Sequence, residues 1–82
     1  MIVSDLNVAA ALESLGFAVS RVERRPNSSR AEFIIEEGED KELIREVINN
    51  YWNGELKGSL RDFARSIKEL KARLYAHDGV SE

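Results

Sequence analysis

The sequence predicts an α+β fold, a small two- or three-stranded antiparallel sheet packed against three helices, and three observations predict it. Between Ser59 and Ala76, Leu60, Phe63, Ile67, Leu70 and Leu74 recur at alternating steps of three and four, the spacing of one helical face. Two runs rich in β-branched and aromatic residues, 17–25 and 30–37, flank Pro26-Asn27-Ser28-Ser29, four consecutive turn formers, which is a hairpin signal. Two further apolar-periodic segments, 5–15 and 40–52, each run into a glycine that can stop a helix. Eighty-two residues with 43% hydrophobic content make one small domain, expected over 1–76, with a frayed polar tail at 77–82.

Taken in order, Met1 to Val3 carries the β-branched pair Ile2 and Val3, which can add a short strand to the hairpin. Ser4 or Asp5 caps the helix 5–15, which sets Val8, Ala11, Leu12 and Leu15 on one face and stops at Gly16. In the hairpin 17–25/30–37, Phe17, Val19 and Val22 do not alternate cleanly. The register is therefore open, since a slip of one residue reverses every side chain; Phe33 and Ile35 are expected to face the core. Glu36-Glu37-Gly38-Glu39-Asp40 leads into the helix 40–52, where acids suit the positive helix end and Leu43, Ile44, Val47, Ile48, Tyr51 and Trp52 form a broad apolar face. Asn53-Gly54 closes it. Ser59 caps the last helix, 60–76, with Asp62 at the third helical position. The short linker predicts that the second and third helices lie against each other, with the last helix as the spine of the fold.

Composition narrows the chemistry. The chain has no Cys, hence no disulfide, thiolate metal site or cysteine nucleophile, and this fits a reducing cytoplasm. Its longest apolar run, Val8 to Leu12, is far short of the roughly 20 residues of a membrane span, and the start lacks a basic region leading into an apolar signal core. A soluble, non-exported protein is expected. His77, the single histidine, has no nucleophile with an orienting partner near it in sequence and reads as a helix-end residue. Glu36, Glu37, Glu39 and Asp40 lack the alternating ligands and distal glutamate of a calcium loop. Gly16, Gly38, Gly54, Gly58 and Gly79 stand singly and form no phosphate cradle. No catalytic residue, metal site or cofactor is expected, and the protein reads as non-enzymatic.

The net charge of −3 is unevenly spread: Arg21 to Arg30 holds four Arg against one Glu, Glu32 to Glu55 eight acids against two bases, and Arg61 to Arg73 five bases against two acids. The bland explanation is pairing among solvated faces. The sharper one is nucleic-acid or nucleotide phosphate binding by Arg21, Arg24, Arg25 and Arg30 together with Arg61, Arg65 and Lys68, which requires the two groups to converge. The favoured reading is a module that binds a protein partner or itself, as a homodimer, through an aromatic and aliphatic surplus at Tyr51, Trp52, Leu70, Leu74 and Tyr75. The outer edge of the hairpin offers a second route, by strand addition.

Asp5-Leu6-Asn7-Val8-Ala9-Ala10-Ala11-Leu12, Leu15-Gly16-Phe17, Phe33-Ile34-Ile35-Glu36, Tyr51-Trp52-Asn53-Gly54 and the stretch Phe63 to Lys71, as an ordered set over residues 4–76, resemble a family of small domains of unknown function. That family is found in bacteria and in their phages and other mobile elements. The resemblance supplies no catalytic or ligand residues. It implies a stand-alone domain of regulatory or host-interaction use and of mobile-element origin.

Overall fold

The computed structural model describes residues 1–24, 31–36 and 38–77. In chain order these form β1 (Ile2–Val3), α1 (Leu6–Ser14), β2 (Val19–Arg24), β3 (Ala31–Ile35), α2 (Lys41–Asn53) and α3 (Leu60–His77). The expected turn at 26–29, Arg25, Arg30, Glu37 and the tail beyond His77 lie outside the described residues.

The strands make one antiparallel sheet in the order β1-β3-β2, so the α+β expectation holds with the third strand present. An isolated hairpin is marginal in water, and β1 relieves this by covering the free side of β3, with Ile2 opposite Ile34 and Val3 opposite Phe33. The amino-terminal ammonium donates to the Ile35 carbonyl at 2.8 Å and the Ile35 N–H donates back to the Met1 carbonyl at 2.8 Å. The broken alternation of the first run has a structural cause: Val19 pairs with Ile35 and Arg21 with Ile34, leaving Ser20 as the extra residue of a bulge. Its hydroxyl donates to the Ile34 carbonyl at 3.1 Å. The bulge lets Val19 and Val22, three residues apart, both reach the covered face beside Phe33 and Ile35.

The spine of the fold is α1, which corrects the assignment of that role to the last helix. Val8, Ala9, Ala10, Ala11 and Leu12 are all buried, with Ala9, Ala10 and Leu12 at 0% exposure. Five successive positions at about 100° per residue take in more than a full turn, so the middle of α1, from Val8 to Leu12, is enclosed on every side instead of showing the single apolar face expected. Leu15, assigned to that face, stands at the rim, 38% exposed. Three consecutive methyl side chains let α3 approach from one flank and α2 from the other, while α3 also rests on β2. Consequently α2 and α3 make at most marginal contact among the described residues, and the expected helix pair is not formed. The linker instead crosses the end of α1, where a Cβ at Gly58 would stand 3.6 Å from Leu15 Cδ2. It can leave α2 sharply because Gly54 takes φ of 75° and the Glu55 and Leu56 N–H groups both donate to the Asn50 carbonyl, at 2.9 and 3.2 Å.

Caps mark two helix starts as expected. The Asp5 carboxylate accepts from the Asn7 and Val8 N–H groups at 2.8 and 3.1 Å, and the Ser59 hydroxyl accepts from the Asp62 N–H at 3.1 Å. Along α3, Leu70 is fully buried, Phe63, Ile67 and Leu74 pack half-buried on the core, and Leu60, the first member of the seam, stands 83% exposed. The helix is tied to the sheet by Arg73, whose Nη1 donates to the Val19 carbonyl at 2.9 Å. Across from it, near the end of α1, Oε1 of Glu13 is buried without a hydrogen-bond partner. Burial pushes the Glu13 carboxyl above the usual carboxylate range; Arg73 pulls it back and Glu69 pushes it further up.

Three outcomes follow for stability. Ala10→Leu forces extra methylenes into the enclosed helix and should lower unfolding free energy by about 1–3 kcal/mol in a denaturant titration, whereas Ala64→Leu on the exposed side of α3 should change it by less than about 0.5 kcal/mol. Arg73→Ala removes a charged donor from a partly buried carbonyl and should cost roughly 1.5–3 kcal/mol. For Glu13 the folded pKa is raised, so ionisation disfavours the folded state; that cost is absent below the unfolded carboxyl pKa and grows as pH rises through the folded one. Glu13→Gln should therefore melt above the parent at about pH 7, with the gain vanishing near about pH 4; a gain independent of pH would contradict the assignment.

Candidate interaction surface

Because α1 holds α2 and α3 apart, a groove opens between them at the end of the molecule where α1 stops. Its floor is Ala11, Ser14 and Leu15 of α1, its walls are Tyr51 of α2 and Leu60 and Phe63 of α3, and the linker from Gly54 to Ser59 closes one end around about 220 Å³. The lining is apolar, and two of its hydroxyls are already engaged. Ser14 Oγ donates to the Ala11 carbonyl at 2.8 Å, and Ser59 Oγ is the helix cap.

Beside this recess stand two projections. Leu60 occupies the first position of α3, one step beyond the point where α1 can cover the apolar seam. Trp52, 63% exposed, has its ring 5.0 Å from that of Tyr51 at 88°, an edge-to-face contact that props the indole against the groove wall. Full burial of a leucine is worth about 1.5–3 kcal/mol, so Leu60 is held in water at a cost that the fold itself does not recover. The surroundings carry both signs of charge, with Lys57 and Arg61 against Glu55, all exposed.

The residues expected to form one association surface are separated by the structure. Tyr51 lines the groove, and Trp52 touches that ring edge-to-face from outside the lining. Leu70, at 0% exposure, is part of the core and cannot meet a partner in the folded chain; Leu74 is half-buried against that same core. Tyr75 is 58% exposed but lies fifteen residues along α3 from Leu60, about 22 Å away. The apolar pattern does not mark Leu15 and Leu60 as exposed, nor the half-buried Leu56 as part of the recess. Leu60 had a signal, since it directly follows the cap Ser59 and so sits at the very tip of the helix.

The described basic residues sit on two elements, β2 and α3. Strand alternation points Arg21 and Glu23 away from the buried Val22, hence away from the helical layer, and the two side chains pair at 3.5 Å. Arg24 is half-buried, while Arg25 and Arg30 lie outside the described residues. Arg61, Arg65 and Lys68 are exposed on α3, with Arg65 facing Asp62 at 3.9 Å. The free edge of β2 is blunted against strand addition by its bulge, by Arg73 on the Val19 carbonyl and by its charged side chains. Among the described residues, no group of three or more His, Asp or Glu side chains is placed to hold a metal ion. No described helix is long and apolar enough to cross a membrane.

No curated protein and no solved structure matches the chain. A protein-family profile does match, over residues 1–76, which takes in every described strand and helix except the final residue of α3. The chain thus belongs to the family described as Domain of unknown function (DUF5659).

Proposed function

We propose that this domain is a non-enzymatic protein-binding module and that its contact surface is the groove end formed by Leu15, Trp52, Leu56 and Leu60. The observation that carries this reading is the 83% exposure of Leu60 at the mouth of an apolar recess. A lone exposed leucine is ordinary; one that stands beside a recess and an exposed tryptophan makes the hydrophobic centre with charged rim found at protein interfaces. The recess is smaller than the roughly 300 Å³ at which small-molecule pockets begin, and its two serine hydroxyls are already engaged, so it suits an inserted side chain better than a bound metabolite. Phosphate binding draws no comparable support, because Arg21 pairs with Glu23 and Arg65 faces Asp62.

A photoreactive benzophenone amino acid in place of Leu60 should yield covalent protein adducts in cells that express the domain, with far fewer from the same group at Lys68. No adduct at position 60 would sink the reading. Leu60→Asp should leave the unfolding free energy within about 0.5 kcal/mol of the parent, because the side chain is exposed.

A further inference from the structure

We infer that the free edge of β2 pairs with the same edge of a second copy, antiparallel about a two-fold axis at Val22, so that two three-stranded sheets join into one. This surface is separate from the groove end and does not rest on the reading above. The hydrogen-bond pattern says which groups face the edge. Ile35 exchanges both of its backbone bonds with Met1, so its N–H and C=O point to β1. Successive residues of a strand turn these groups to opposite sides, so those of Phe33 also point to β1, and those of Ile34 and Glu32 point to β2. Arg21 and Glu23 stand opposite Ile34 and Glu32, whereas Val22 stands opposite Phe33 and therefore turns its N–H and C=O away from β3, to the free edge. The Val19 carbonyl, opposite Ile35, is in the same position and is taken by Arg73. Val22 presents a donor and an acceptor to an incoming strand.

Charge says which strand. Arg21 and Glu23 share the sheet face away from the helices, 3.5 Å apart, with side chains 67% and 45% exposed. In an antiparallel ladder centred on Val22, Arg21 stands opposite Glu23 of the copy and Glu23 opposite its Arg21, so the four side chains alternate in sign around the axis. Centring the ladder on Arg21 or on Glu23 would set like charges opposite and place at the axis a residue whose backbone groups face β3. Charge and hydrogen bonding thus select the same register. Arg21-Val22-Glu23 is its own complement when reversed, and a strand of arbitrary sequence is not, so the charges that blunt this edge against other strands admit a copy. The bulge at Ser20 and Arg73 at Val19 bound the ladder on one side. The contact is short, and the dimer is expected to exchange with monomer as concentration changes.

Sedimentation of the purified full chain from about 20 µM to about 2 mM covers the range in which weak interfaces form. The mass should rise from 9.3 kDa toward twice that value, and over the same range the Val22 amide proton should shift and exchange more slowly. Arg21→Glu brings four carboxylates together at the axis and Glu23→Arg four cations, so each variant alone should stay monomeric while keeping the parental melting transition. Mixed in equal amounts, the two variants should associate, because each supplies the charge that the other lacks. Leu60→Asp should associate as the parent does. A parent that is monomeric at every concentration, single variants that still dimerise, or a mixture that stays monomeric would overturn the inference. Loss of the dimer in Leu60→Asp would overturn it too, by placing the contact at the groove end.

Discussion

Everything else in this domain depends on a helix of nine residues whose middle five are all buried. Three consecutive alanines followed by Leu12 give α1 a surface that neighbours can approach to backbone distance, and the fold exploits it from two flanks. A small domain buries only about 60% of the surface its unfolded chain exposes, so an element that contributes core area in all directions is worth more than another amphipathic helix. The sheet, α2 and α3 each supply one apolar face, and α1 is what those faces share.

The groove follows from that arrangement. If α2 and α3 packed on each other, the seam of α3 would close along its length and Leu60 would be covered. With α1 between them, the two helices diverge past its last turn. The linker spans the opening, and Leu15, Leu56 and Leu60 are left around a recess that the chain does not fill. The interaction surface is thus the residue of a packing solution, placed where the central helix runs out.

Much of this was legible in the sequence, and the parts that were not have specific reasons. Helix limits at Asp5, Gly16, Gly54 and Ser59 came through because caps and glycines act locally, within a turn of the residue that carries them. Phe33 and Ile35 were assigned inward because β3 alternates; the Val19–Val22 spacing concealed a bulge, which a period-two pattern cannot express. Periodicity also understated α1, since alanine is ambiguous between surface and core and only tertiary packing decides it. The candidate site divided in the same way. Tyr51 and Trp52 were found as aromatics at a helix end, whereas Leu60 was absorbed into a seam whose last step happens to overshoot the core, and Leu70 was offered as surface although it lies at the centre of that seam.

The central claim is that α1 is the most stable element, and native-state hydrogen exchange tests it most directly. The amides of Ala10, Ala11 and Leu12 should exchange only through global unfolding, with protection matching the full unfolding free energy, while the ends of α2 and α3 open at lower cost. Slower exchange in the middle of α3, at Ile67 to Leu70, than in α1 would contradict the account and return the role of spine to the last helix.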